Sequence, residues 1–211
     1  MKHLLLIAAT LALFVTQKTP PNIDYFPPGI LDDTPQSSQF KEQWYSDQLR
    51  ALKEPSLWEL SKTQKTQTYR FLWLRSFHHP ISVRLDVAED GTAVVTTKIT
   101  SGQGGDESRK LMVNKSHSLT KEQAAWFLDE INEADFWDLA TYENSQEAVG
   151  PDGKRTVEVH VDGAEWILEG VKDGKYKIAD RWSPEKGPVH VLGITMLVDL
   201  AKLKLLYEEV Y

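Results

Sequence analysis

His160, Glu165 and Arg181 fall at positions that put an imidazole, a carboxylate and a guanidinium side by side, if the segments carrying them are neighbouring strands. A carboxylate between two cations can orient the histidine as a general base, or the row can recognise an anionic or sugar ligand. An exposed sheet face carries the same pattern as a plain charge ladder. Asp180 breaks a different rule. The expected register aims it at an apolar face, opposite Trp166 and between Ile178 and Trp182, where a carboxylate must be paired, hydrogen-bonded or neutral. The Trp166 indole or the backbone before Pro184 could satisfy it structurally. Asp180 with His160 or His78 would be the acid and base of a hydrolase or lyase, with Glu165 as the remaining catalytic candidate. Arg181, Trp182, His78 and His79 are the candidate binding residues.

Other chemistries find less support. The chain has no cysteine, which removes disulfides, thiolate catalysis, zinc fingers and cysteine lipidation. His78 and His79 are adjacent, so on a strand they point to opposite faces and do not share an ion, and no metal site is expected. Gly102, Gly104, Gly105 and Asp106 match phosphate-cradling loops in composition only, without the strand-to-helix context or the lysine-serine ending. No cofactor is implied. The net charge is -7, which opposes binding to nucleic acid or to an anionic membrane surface.

The elements that must position these residues follow from periodicity. Phe40, Trp44, Tyr45, Leu49 and Leu52 recur at helical spacing behind Ser38 as cap, and Pro55 suits the first turn of a short helix over Ser56–Lys62. Tyr69–Phe77 is an aromatic-rich strand. Ile81–Val87 alternates with period 2 and returns through a three-residue turn, pairing Val87 with Ala93, Leu85 with Val95, Val83 with Thr97 and Ile81 with Ile99. Lys110–His117 is a further strand. Thr120 and Gln123 form a capping box opening a central helix. Residues 155–182 read as a three-stranded meander, with Val157, Val159 and Val161 opposite Leu168, Trp166 and Ala164. A three-residue loop over Lys172–Gly174 then pairs Leu168 with Ile178, Trp166 with Asp180 and Ala164 with Trp182. A closing helix is expected over Val189–Tyr207. The fold class is therefore α+β: an antiparallel sheet of about six or seven strands in hairpins and a meander. One central and one C-terminal helix pack on it, with short helices at the N-terminus.

Residues 1–17 read as a signal peptide or short N-terminal anchor. Met1-Lys2-His3 is followed by an apolar run of 12 residues, Leu4–Val15, too short for a relaxed membrane span, and no small-x-small cleavage site follows it. Residues 18–37, rich in proline, are expected to be a tether, and 38–211 a single domain.

The segments at 69–81 (YRFLWLRSFHHPI) and 166–184 (WILEGVKDGKYKIADRWSP) resemble a set of uncharacterised bacterial proteins, several with an N-terminal export signal. The similarity extends over residues 69–205. It implies a bacterial source and a shared use of the Arg181–Pro184 corner, and it brings no catalytic residues. The reading is an exported cell-envelope protein, periplasmic or secreted or tethered by residues 1–17, that binds a protein or small-molecule ligand, with a hydrolase or lyase as the alternative.

Overall fold

The computed structural model describes residues 24–104, 110–143, 148–149, 155–156 and 162–211. The architecture is α+β, around a six-stranded antiparallel sheet. In chain order the elements are α1 (Pro35–Ala51), α2 (Leu57–Thr63), β1 (Gln67–Arg75), β2 (Ile81–Val87), β3 (Ala93–Thr100), β4 (Leu111–Leu119) and α3 (Lys121–Glu133). They continue with β5 (Ala148–Val149), β6 (Arg155–Thr156), β7 (Ala164–Lys172), β8 (Lys175–Trp182) and α4 (Pro188–Ile194), which runs on as a wider helical turn to Leu200. The sheet order is β4-β3-β2-β1-β7-β8, and among the described residues β5 pairs with β6 in a separate two-stranded sheet.

Both faces of the central strands are covered. One face packs Tyr69, Phe71, Trp73, Val83, Leu85, Trp166 and Leu168 against α3 and α4. The other packs Leu72, Leu74, Ile167 and Ile178 against Tyr45 and Leu49 of α1 and Leu52 just after it. A strand buried on both faces has no solvated side to mark with polar residues, so β1 reads as a continuous run.

The β2–β3 register is the one expected, from Val87 opposite Ala93 to Ile81 opposite Ile99. Thr120 and Gln123 close the expected capping box on α3. Elsewhere the structure differs. α1 starts at Pro35 behind Thr34, and Ser38 lies inside the helix, accepting from Leu31 N and donating to Glu42. Residues 24–37, expected as part of a tether, pack on the domain instead: Tyr25, Phe26 and Leu31 are buried in the α1-side core, since three large apolar groups among the prolines bury enough surface to hold that segment.

The expected meander is also corrected. β7 pairs with β8 on one edge and with β1 on the other, Leu72 opposite Ile167 and Arg70 opposite Glu169. No edge of β7 is left for Val157, Val159 and Val161, which lie outside the described residues. The β7–β8 hairpin turns through two residues, Asp173 and Gly174, both at positive φ (51° and 78°), which matches the right-handed strand twist. Asp180 therefore stands opposite Ile167, not Trp166, and Trp166 opposite Arg181. A one-residue slip turns every β8 side chain to the other face. The closing helix stops at Leu200, with Lys202 in the left-handed conformation and Leu203 N bonded to Leu197 O, a cap that no glycine advertises.

Candidate active or binding groove

Glu165, Glu169, Asp180 and Tyr176 all face α1, because alternate residues of β7 share a face and the hairpin register brings the matching β8 residues beneath the same helix. From α1, residues one turn apart meet them. Lys41 Nζ lies 2.9 Å from Asp180 Oδ2, and the Tyr45 hydroxyl donates to the same oxygen at 3.2 Å. Asp180 is 2% exposed.

Glu165 is 6% exposed, and its Oε2 is buried with no hydrogen-bond partner. Burial, and next the negative charge of Asp180, push its pKa well above the usual carboxylate range, with Lys41 only partly opposing. A buried carboxyl group beside a second carboxylate, with one oxygen lacking a hydrogen-bond partner, is the arrangement that favours the protonated acid. Burial and the two carboxylates also raise Tyr45 well above its ordinary value, so it remains a hydroxyl donor. Burial opposes the charge on Lys41, but Asp180 and Glu165 outweigh it and raise its pKa.

Glu165 forms part of the lining of an open groove of about 880 Å³. Phe40 and Trp44, one turn apart on α1, and Phe77 and Trp182 supply its aromatic surface, while Asp47 and Asp162 add carboxylates. Phe40 is 68% and Phe77 58% exposed, unusual for rings of that size. The walls are held from behind. Trp44 Nε1 and Gln48 Nε2 both donate to Gly104 O, at 2.8 and 2.7 Å, and Gly104 N donates to Arg75 O at the end of β1. A Cβ on Gly163 would lie 2.4 Å from the Trp182 ring, so glycine is what allows that indole to lie on the chain.

Farther along β7, Glu169 is enclosed in a different network. Arg70 Nε donates to it at 2.8 Å, and the Tyr176 hydroxyl donates to its other oxygen at 2.9 Å. Glu54, in the link between α1 and α2, accepts from Arg84 Nε at 2.9 Å, and Lys98 Nζ stands 2.9 Å from its other oxygen as an ion pair. Arg84 also bonds Asp86.

Of the residues singled out from the sequence, Asp180, Glu165 and Trp182 come together here. Glu165 and Arg181 face opposite sides of the sheet, so the expected His160–Glu165–Arg181 row does not form, and His160 lies outside the described residues. Arg181 is a structural clamp: its guanidinium donates to Ala140 O and Thr141 O and pairs with Glu143. His78 Nδ1 bonds the Tyr211 hydroxyl at 2.8 Å, and burial followed by the Arg75 charge lowers its pKa. Asp180 takes its partners from α1, so His78 is not its base. His79 is exposed and bonds Gly102 O. The Trp166 indole, expected to satisfy Asp180, donates to Tyr211 O instead. Periodicity does not single out Lys41 and Tyr45 as site residues, because a lysine beside an apolar helix stripe ordinarily carries its charge to solvent. Among the described residues no three His, Asp or Glu side chains cluster to hold a metal ion, and no helix is long and apolar enough to cross a membrane. No protein-family model matches this chain, and no curated protein sequence matches it.

Proposed function

We propose that the protein is an exported cell-envelope binding module whose ligand site is the groove between α1 and the β7–β8 corner. The observation that carries this reading is the convergence of Phe40, Trp44, Phe77 and Trp182 over the buried acid Glu165. Exposed aromatic surface in a concavity, with a few polar groups at its base, is the usual form of a small-molecule site. Export rests on residues 1–17 and would be checked by cell fractionation of the full chain. A fragment screen by NMR, following the Trp44 and Trp182 indole signals, tests the site. Hits should perturb those signals and weaken in Trp182→Ala. Hits that map elsewhere and ignore that substitution would sink the proposal.

A hydrolase or lyase is the second reading, favoured by the Glu165–Asp180 pair. One acid held protonated beside another carboxylate is the division of roles that acid–base catalysts use. Against it, Asp180 is sealed by Lys41 and Tyr45. Turnover of any substrate that vanished in Glu165→Gln while binding persisted would favour this reading.

A further inference from the structure

Charge counting at the groove floor leaves a deficit. Two carboxyl groups, Glu165 from β7 and Asp180 from β8, face one cation, Lys41, and one hydroxyl, Tyr45, both from α1. Lys41 is committed to Asp180, and Glu165 Oε2 has no donor. Along the groove itself Asp47 and Asp162 add negative charge, and no Lys, Arg or His belongs to the lining among the described residues. Asp47 is answered by Arg50, its neighbour on the helix. The β1 residue Leu74 and the following Ser76, which reach the groove, are uncharged. The cluster is neutral only while Glu165 holds its proton.

The walls select for the missing charge. Faces of Trp and Phe rings attract cations, most strongly where water is partly excluded. An anion would meet an acidic lining, and a neutral sugar would bring hydrogen bonds without charge. Resting on the reading of the groove as a ligand site, we propose that its ligand is an organic cation with N–H donors, an alkylammonium or a guanidinium, carried against the aromatic walls with its charged end on Glu165. In the bound state the Glu165 O–H bond breaks, the proton leaves to solvent, and the ligand N–H donates to the resulting carboxylate. The ligand supplies the second positive charge for the second carboxylate, so binding and release of one proton are a single event.

Isothermal titration of the full chain with 2-phenylethylammonium and with 2-phenylethanol, which has the same size and no charge, tests this. A neutral methyl glucoside serves as a third probe. The ammonium should bind about tenfold or more tightly than the alcohol. Its affinity should rise as pH increases above the ordinary glutamate value, toward the raised Glu165 value, with about one proton released per ligand by comparison of buffers. The Glu165 side-chain carboxyl ¹³C signal should move to its ionised position on saturation. Glu165→Gln, close in shape to the protonated acid, should lose both the discrimination and the proton release; if it does not fold, the ¹³C readout on the parent protein decides. Equal binding of ammonium and alcohol, or ammonium binding with an unmoved ¹³C signal, overturns the cation proposal. Glucoside binding that shifts the Trp44 and Trp182 indoles without any ammonium binding overturns it too, while leaving the groove as a ligand site. If none of the probes nor any fragment shifts those indoles, both readings fail together.

Discussion

Glu169 and Glu165 lie four residues apart on one strand and one face, yet their surroundings differ in charge balance and in access. At Glu169, the acids Glu54, Asp86 and Glu169 meet the cations Arg70, Arg84 and Lys98, and Tyr176 fills the remaining acceptor. Arg70, Glu54 and Glu169 have side chains with no exposure at all. At Glu165, two acids meet one lysine among the described residues, and the cluster opens on a groove. A buried acid with its full complement of cations is a fastening, here of the α1–α2 link to the sheet. A buried acid lacking one, at the base of an aromatic groove, is placed for a ligand. Burial alone distinguishes neither; the count of opposing charges does.

The largest effect that can break this contrast is expected at the closed cluster. Glu169→Leu strands Arg70 in the interior and should cost roughly 3–5 kcal/mol of unfolding free energy, while Arg70→Met with Glu169→Leu should recover most of it. Denaturant unfolding of both variants measures the difference. A single substitution as mild as the double would mean that the cluster is not closed.

Glu165→Gln should act in the opposite direction. The folded state holds the Glu165 proton more tightly than the unfolded chain, because burial and Asp180 raise its pKa. Its contribution to stability is therefore fully present below the unfolded glutamate value and shrinks as pH rises toward the folded value. The variant has no such loss, so its melting temperature relative to the parent should climb from about pH 4.5 upward. A difference that stays flat with pH would show that Glu165 titrates normally and remove the contrast between the clusters.

The smallest stability effect belongs to Phe40→Ala. With the ring 68% exposed, unfolding free energy should stay within about 0.5 kcal/mol of the parent, while affinity for any groove ligand falls. Comparable loss of both would mark Phe40 as core and the groove as a packing defect.

Several parts of this arrangement are legible in the amino-acid sequence. The three-residue turn Glu89-Asp90-Gly91 and the alternation of Ile81–Val87 specify the β2–β3 pairing, because that hairpin offers one apolar match and a local turn. Thr120 with Gln123 announces α3. The β7–β8 hairpin carries equally clear turn residues, yet alternation misleads there. Both of its faces are buried, so apolar residues occupy both sets of positions and the pattern cannot say which register holds. Asp173 and Gly174 at positive φ settle it, and that single residue of slip moves Asp180 from the α3–α4 side to the α1 side. Arg70, between Tyr69 and Phe71, and Glu169, between Leu168 and Gly170, are individually visible as charges needing partners, but their pairing is long-range.

By itself the amino-acid sequence determined the α+β class, the local turns and caps, and the presence of a carboxylate, Asp180, that could not be left alone. These follow from interactions within a few residues and from the energetic cost of an unpaired charge. Only the tertiary structure decided who answers that charge. β1 inserts beside β7, α1 lays Lys41 and Tyr45 across the sheet, and the Glu165–Asp180 pair is, among the described residues, one cation short at the floor of a groove. Contacts between residues more than 100 positions apart obey no periodicity, because they are selected by the packing of whole faces.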